Sequence, residues 1–113
     1  MATIQRKLTM YRGESKTFDF ATGLDISDLT TIVFTMKLAY DSTNLSAKQY
    51  TAVIEDASVG SFTVTISDVG LTGSPAGHYV YDVMGFGEGI IQELFIGQLE
   101  ILPIVNGGFS IPE

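Results

Sequence analysis

The chain has 113 residues, 45% of them hydrophobic, which is the length of one ordinary domain with enough apolar material to fill a core. It contains no cysteine, so disulfides, thiolate metal sites and cysteine nucleophiles are excluded. Six Lys and Arg against thirteen Asp and Glu leave a net charge of −7, which argues against nucleic-acid phosphates as partner.

The charge is unevenly placed. All six basic residues lie in the first 48 positions, beside five acids, whereas the rest of the chain carries eight acids and no Lys or Arg. If these parts reach different surfaces, the molecule is electrically polar and the dipole orients contacts between copies. Residues Met1 to Lys7 lead into no apolar h-region, and no apolar run approaches the ~18 residues of a membrane span. The expectation is a soluble protein made in the cytoplasm, with no membrane partner.

The dominant period is two, with Ile, Val and Thr frequent, so the chain reads as strands almost throughout. A first strand runs from Thr3 to Tyr11 and ends at the Arg12-Gly13-Glu14 turn. Lys16 to Ala21 follows with Phe18 and Phe20 on one face, and Leu24 to Leu29 reads as a loop tucking alternate apolar residues under a sandwich. Ile32, Phe34, Met36 and Leu38 give the clearest one-sided strand. After the polar cluster Asp41-Ser42-Thr43-Asn44, a fourth strand from Gln49 to Glu55 carries either the Tyr50 or the Val53 set inward. Phe62, Val64 and Ile66 alternate with hydroxyl residues in a fifth.

Asp68 to Gly77 connects to a sixth strand, His78 to Met84, and Gly85-Phe86-Gly87-Glu88-Gly89 reads as a hairpin loop before a last strand, Ile90 to Leu102, which Pro103 stops. About seven strands with polar turns and no amphipathic helix define an all-β chain, an immunoglobulin-like antiparallel β-sandwich over residues 1–103, with an eight-stranded barrel as its nearest rival. Tyr79 or Tyr81 is placed to bond its hydroxyl back to upstream backbone, as in the corner such sandwiches often carry. Residues 104–113 form an extended tail without period, yet they hold Ile104, Val105, Phe109 and Ile111, more apolar than a solvated tail needs. Docking on its own domain or on a neighbouring copy is the expectation.

The inventory for chemistry is thin. The single histidine, His78, opens a strand directly after a glycine, a place for an exposed or satisfied ring rather than a general base. The glycines at 85, 87 and 89 join two strands, outside the strand-to-helix context of a dinucleotide loop, and no metalloprotease, nucleophile-elbow or phosphate-loop pattern occurs. Asp25-Ile26-Ser27-Asp28 and Asp41-Ser42-Thr43-Asn44 offer oxygens to calcium but match no EF-hand loop and read as turns. An enzyme would need an acid pair such as Asp82 and Glu93 to converge in a cleft. The expectation is no catalytic residue, no cofactor and no metal.

What remains is surface. The first and last strands read as edge or near-edge strands, which are templates for pairing. Phe86 and Ile90, flanking the glycine-rich loop, and Ile104, Val105, Phe109 and Ile111 in the tail are the candidate protein contacts. Tyr11, Tyr40, Tyr50 and Phe86 are the aromatic candidates for gripping a carbohydrate or protein ligand at loops.

One ordered set of segments is more specific than any of its pieces. Arg12-Gly13-Glu14-Ser15-Lys16-Thr17-Phe18, Leu24-Asp25-Ile26-Ser27-Asp28-Leu29-Thr30, Val33-Phe34-Thr35-Met36-Lys37, Gly60-Ser61-Phe62-Thr63-Val64-Thr65-Ile66, Gly77-x-Tyr79-x-Tyr81-Asp82-Val83 and Gly97-Gln98-Leu99-Glu100-Ile101-Leu102-Pro103 occur in that order. Over residues 3–103 this resembles the immunoglobulin-like domain at the N-terminus of bacteriophage baseplate and upper-fibre proteins, the BppU-like group. The resemblance implies a non-enzymatic virion structural protein, partnered by its own copies in a homo-oligomer and by other virion proteins. In that family a coiled coil and a receptor-binding portion usually follow, whereas here ten residues follow Pro103. The expectation is therefore a tail, baseplate or fibre-attachment adaptor, with a capsid decoration protein or an immunoglobulin-like binding module as alternatives.

Overall fold

A computed structural model describes residues 3–11, 15–39, 47–66 and 77–102. Its strands are β1 (Ile4–Gln5), β2 (Leu8–Tyr11), β3 (Lys16–Ala21), β4 (Leu29–Leu38), β5 (Lys48–Thr51), β6 (Val53–Asp56), β7 (Ser61–Ile66), β8 (Gly77–Gly87) and β9 (Ile90–Leu102). β-Branched and aromatic residues at every second position make each strand one-sided, so two sheets must bury those sides against each other. The larger sheet runs β1-β9-β8-β4-β5, with β2 also on β9, and the smaller runs β3-β7-β6. This is an immunoglobulin-like β-sandwich, and the described residues contain no helix.

The core is aromatic at its centre. Phe20 from the small sheet stacks on Phe62 at 5.2 Å and meets Phe95 of the large sheet edge-on at 4.8 Å. Phe34 stacks on Tyr81 at 4.9 Å, and all five rings are buried. Each buried phenylalanine contributes about 2 kcal/mol of apolar burial, and the edge-to-face contact adds about 1 kcal/mol.

Several boundaries differ from the sequence reading. The first strand is two short ones, both parallel to β9, with pairing kept in one register from Ile4↔Phe95 to Leu8↔Leu99. The break falls at Arg6 and Lys7: the Arg6 N–H still donates to the Ile96 carbonyl at 3.1 Å, but the Arg6 carbonyl turns aside to accept from the Tyr81 hydroxyl. This edge pairing is parallel because the N-terminal strand and β9 start at the same end of the sandwich, so the sandwich is not wholly antiparallel.

The fourth predicted strand is divided at Ala52, whose N–H donates to the Ile32 carbonyl at 2.8 Å while the chain passes from the large sheet to the small one. Tyr50 and Ile54 pack against the core and Val53 is exposed, which decides the inward set. In the earlier connection between β3 and β4 Ile26 is buried, as is Leu29 at the start of β4, both as expected, but Leu24 is exposed.

The glycine-rich loop is the largest correction. β8 continues through Gly85-Phe86-Gly87, and only Glu88 and Gly89 turn, with Gly89 at a φ of 70°. Glycine is needed at 87 for close approach, since a β-carbon there would overlap the Asp28 carbonyl; at 85 a β-carbon would meet the end of the Leu29 side chain, which would have to shift. The Arg12-Gly13-Glu14 turn, the Asp41 to Asn44 cluster, residues 67–76 and the tail lie outside the described residues.

Candidate interaction surface

The outward face of the large sheet is where exposed apolar side chains gather. Cross-strand register fixes its rows: Phe86 beside Ile91, Met84 between Val33 and Glu93, and Asp82 between Thr35 and Ile96. Ile91 is 73% exposed, Ile96 40% and Phe86 36%. The hairpin tip is braced rather than free, since the Thr30 hydroxyl donates to the Phe86 carbonyl at 3.2 Å. Of the candidate contacts, Phe86 reaches solvent while Ile90 is half-buried and packs on its own core, leaving Ile91 as the exposed isoleucine. Ile104, Val105, Phe109 and Ile111 lie outside the described residues.

Sequence reasoning missed Ile96, and took Ile90 rather than its neighbour Ile91 as the contact, because β9 carries a bulge. The register shifts between Val83 and Met84, leaving Leu94 as an extra residue, so Leu94 and Phe95 are both buried in succession. A period-two reading carried through that point puts one half of the strand on the wrong face. No local signal marks the bulge in Ile90 to Leu102.

Two depressions flank Ile96 and Gly97. One, of about 430 Å³, lies at the break between β1 and β2, lined by Gln5, Arg6, Lys7, Ile96, Gly97 and Gln98. The other, of about 500 Å³, includes Thr35, Lys37, Gln49, Val80 and Asp82. Both are open to solvent and rimmed by amide, hydroxyl and charged groups.

Asp82 and Glu93 do fall near each other on the outward face of β8 and β9, with Asp82 also lining the second depression. Burial first and the Glu93 carboxylate second raise the Asp82 pKa above its ordinary value. The Thr3 hydroxyl donates to Glu93 Oε1 at 3.3 Å. His78 is exposed, its Nδ1 3.8 Å from Glu100 Oε2, a surface pair. The Asp25 carboxylate accepts from the Ser27 N–H at 2.8 Å and from its hydroxyl, closing a turn, and those bonds lower its pKa. No cluster of three His, Cys, Asp or Glu suited to a metal occurs among the described residues.

The aromatic candidates are not brought together. Tyr11 ends β2 opposite Leu102, Phe86 lies at the other end of the sandwich, Tyr50 is half-buried against Phe34, and Tyr40 lies outside the described residues.

The fold and this surface define an immunoglobulin-like sandwich with apolar side chains displayed on one sheet face and at one hairpin tip. No protein-family model matches the chain, and no curated protein matches it.

Proposed function

We propose that the protein is a non-enzymatic structural subunit of a bacteriophage particle: a tail, baseplate or fibre-attachment adaptor that assembles through edge strands, loops and its C-terminal tail. The observation that carries this reading is the set Phe86, Ile91 and Ile96, exposed on a braced sheet face where solubility alone would favour polar residues. The resemblance over residues 3–103 supports the viral setting. Its partners are further copies of itself and other virion proteins, and its place is the virion, after synthesis in the host cytoplasm.

The test is the protein content of purified particles from a lysate of the host that carries the gene. The expected result is this chain at a fixed copy number per particle, retained through density-gradient purification. Its absence from the particles, or its loss into the soluble fraction, overturns the reading.

A further inference from the structure

The tip of the β8–β9 hairpin and the depression at the β1–β2 break have complementary character. The tip is a two-residue turn whose charged side chain is Glu88, flanked by exposed Phe86 and Ile91. The depression has Lys7 exposed at its rim, the Arg6 backbone bending through it, Ile96 as an apolar wall, and the amides of Gln5 and Gln98.

We infer that the hairpin tip of one copy seats in the β1–β2 depression of a second copy, with Glu88 against Lys7 and with Phe86 and Ile91 against Ile96. The Gln5 and Gln98 amides supply donors and acceptors for the peptide groups of the turn. Charge decides the occupant. All the basic residues of this acidic chain lie between positions 6 and 48; of the two that line this depression, Arg6 turns its guanidinium to the Asp19 carbonyl of β3, and Lys7, exposed at the rim, is the charge that meets an acidic tip. An acidic apolar tip therefore finds its complement on another copy of the same molecule.

The two halves occupy different places on one molecule: the tip lies at the end of the sandwich shared with residues 22–28, the depression on the flank beside β9. Such a contact is heterologous, so successive copies close into a ring or continue as an open row. The inference names one neighbour for the assembly role proposed above, and a particle can contain the protein even if this contact does not form.

The test uses Lys7→Glu, Glu88→Lys and the double variant, on the full chain. Masses are measured by sedimentation across concentration, and circular dichroism checks the fold. Both side chains are exposed, so the variants should fold as the parent does. The parent is expected to associate with rising concentration, and each single reversal to weaken that association about tenfold. An equimolar mixture of the two single variants should recover association, because each then meets a partner of opposite sign, and the double variant should recover it alone. A parent that stays monomeric up to about 1 mM, single variants that associate as the parent does, or a mixture no different from its components overturns the inference.

Discussion

The Tyr81 hydroxyl donates a 2.6 Å hydrogen bond to the carbonyl oxygen of Arg6, 75 residues upstream, and ties the broken N-terminal strand to the middle of the large sheet. The Arg6 guanidinium completes the tie by donating to the Asp19 carbonyl of β3 and lying 4.8 Å from the centre of the Phe20 ring. A sheet edge is thus joined to the opposite sheet through one residue, and the open edge of β3 is blunted by a charged side chain.

Removing the phenol oxygen should weaken this tie without emptying the core. Tyr81→Phe keeps the stack on Phe34 and leaves the Arg6 carbonyl without that donor, an expected loss of about 1 kcal/mol in urea denaturation. Burial, opposed by the nearby Arg6 charge, pushes the Tyr81 pKa up to about 12. The difference in tyrosinate absorbance between the parent and this variant should therefore titrate near that value.

Gly97 is required by the same junction. It stands opposite Tyr81 in the β8–β9 pairing, and a β-carbon on it would overlap the Arg6 carbonyl oxygen. Gly97→Ala should push β1 and β2 off β9 and cost about 1–3 kcal/mol. Faster amide exchange confined to residues 4–11, with the β3–β7 pairing still protected, is the local signature to measure.

Asp82 gives the stability a pH dependence of known sign. Its folded pKa lies above its ordinary value, so the unfolded chain ionises first as pH rises. Between the two values the folded state holds more protons, and this group's contribution to stability falls as pH increases. Asp82→Asn should stabilise the protein at neutral pH by a few tenths of a kcal/mol, since partial exposure screens the effect. Thermal melts at pH 4 and pH 7 should show the larger gain at the higher pH, since pH 4 lies close to the ordinary aspartate value and only part of the cost is present there.

Phe20 is the residue through which the sheets meet. Its ring touches Phe34, Phe62 and Phe95, so Phe20→Ala leaves a cavity bordered by both sheets. The expected cost is about 3–5 kcal/mol, which is a large part of the stability of a domain this size. Chemical denaturation midpoints measure it directly.

Period-two patterning in Lys16–Ala21, Ile32–Leu38 and Ser61–Ile66 was enough to specify three strands and their buried faces, because the β3–β7, β4–β5 and β4–β8 pairings keep an unbroken register at those positions and the shift between β6 and β7 places its extra residue in β6. It was also enough to predict the immunoglobulin-like sandwich, since one-sided strands with polar turns have few other ways to bury their apolar faces. The tertiary structure decided the rest. Whether Gly85 and Gly87 turn the chain or admit a neighbour depends on Leu29 and Asp28, far away in sequence. The Leu94 bulge, which exposes Ile91 and Ile96, arises from pairing with β8 and leaves no mark in the local pattern. Arg6 reads as a strand residue in sequence, yet it serves as a hinge because Gly97, Tyr81 and Asp19 converge on it only when both sheets are in place. Local alternation fixes which side of a strand is apolar, whereas close approach and cross-sheet bonding are set by partners that only the assembled fold brings near.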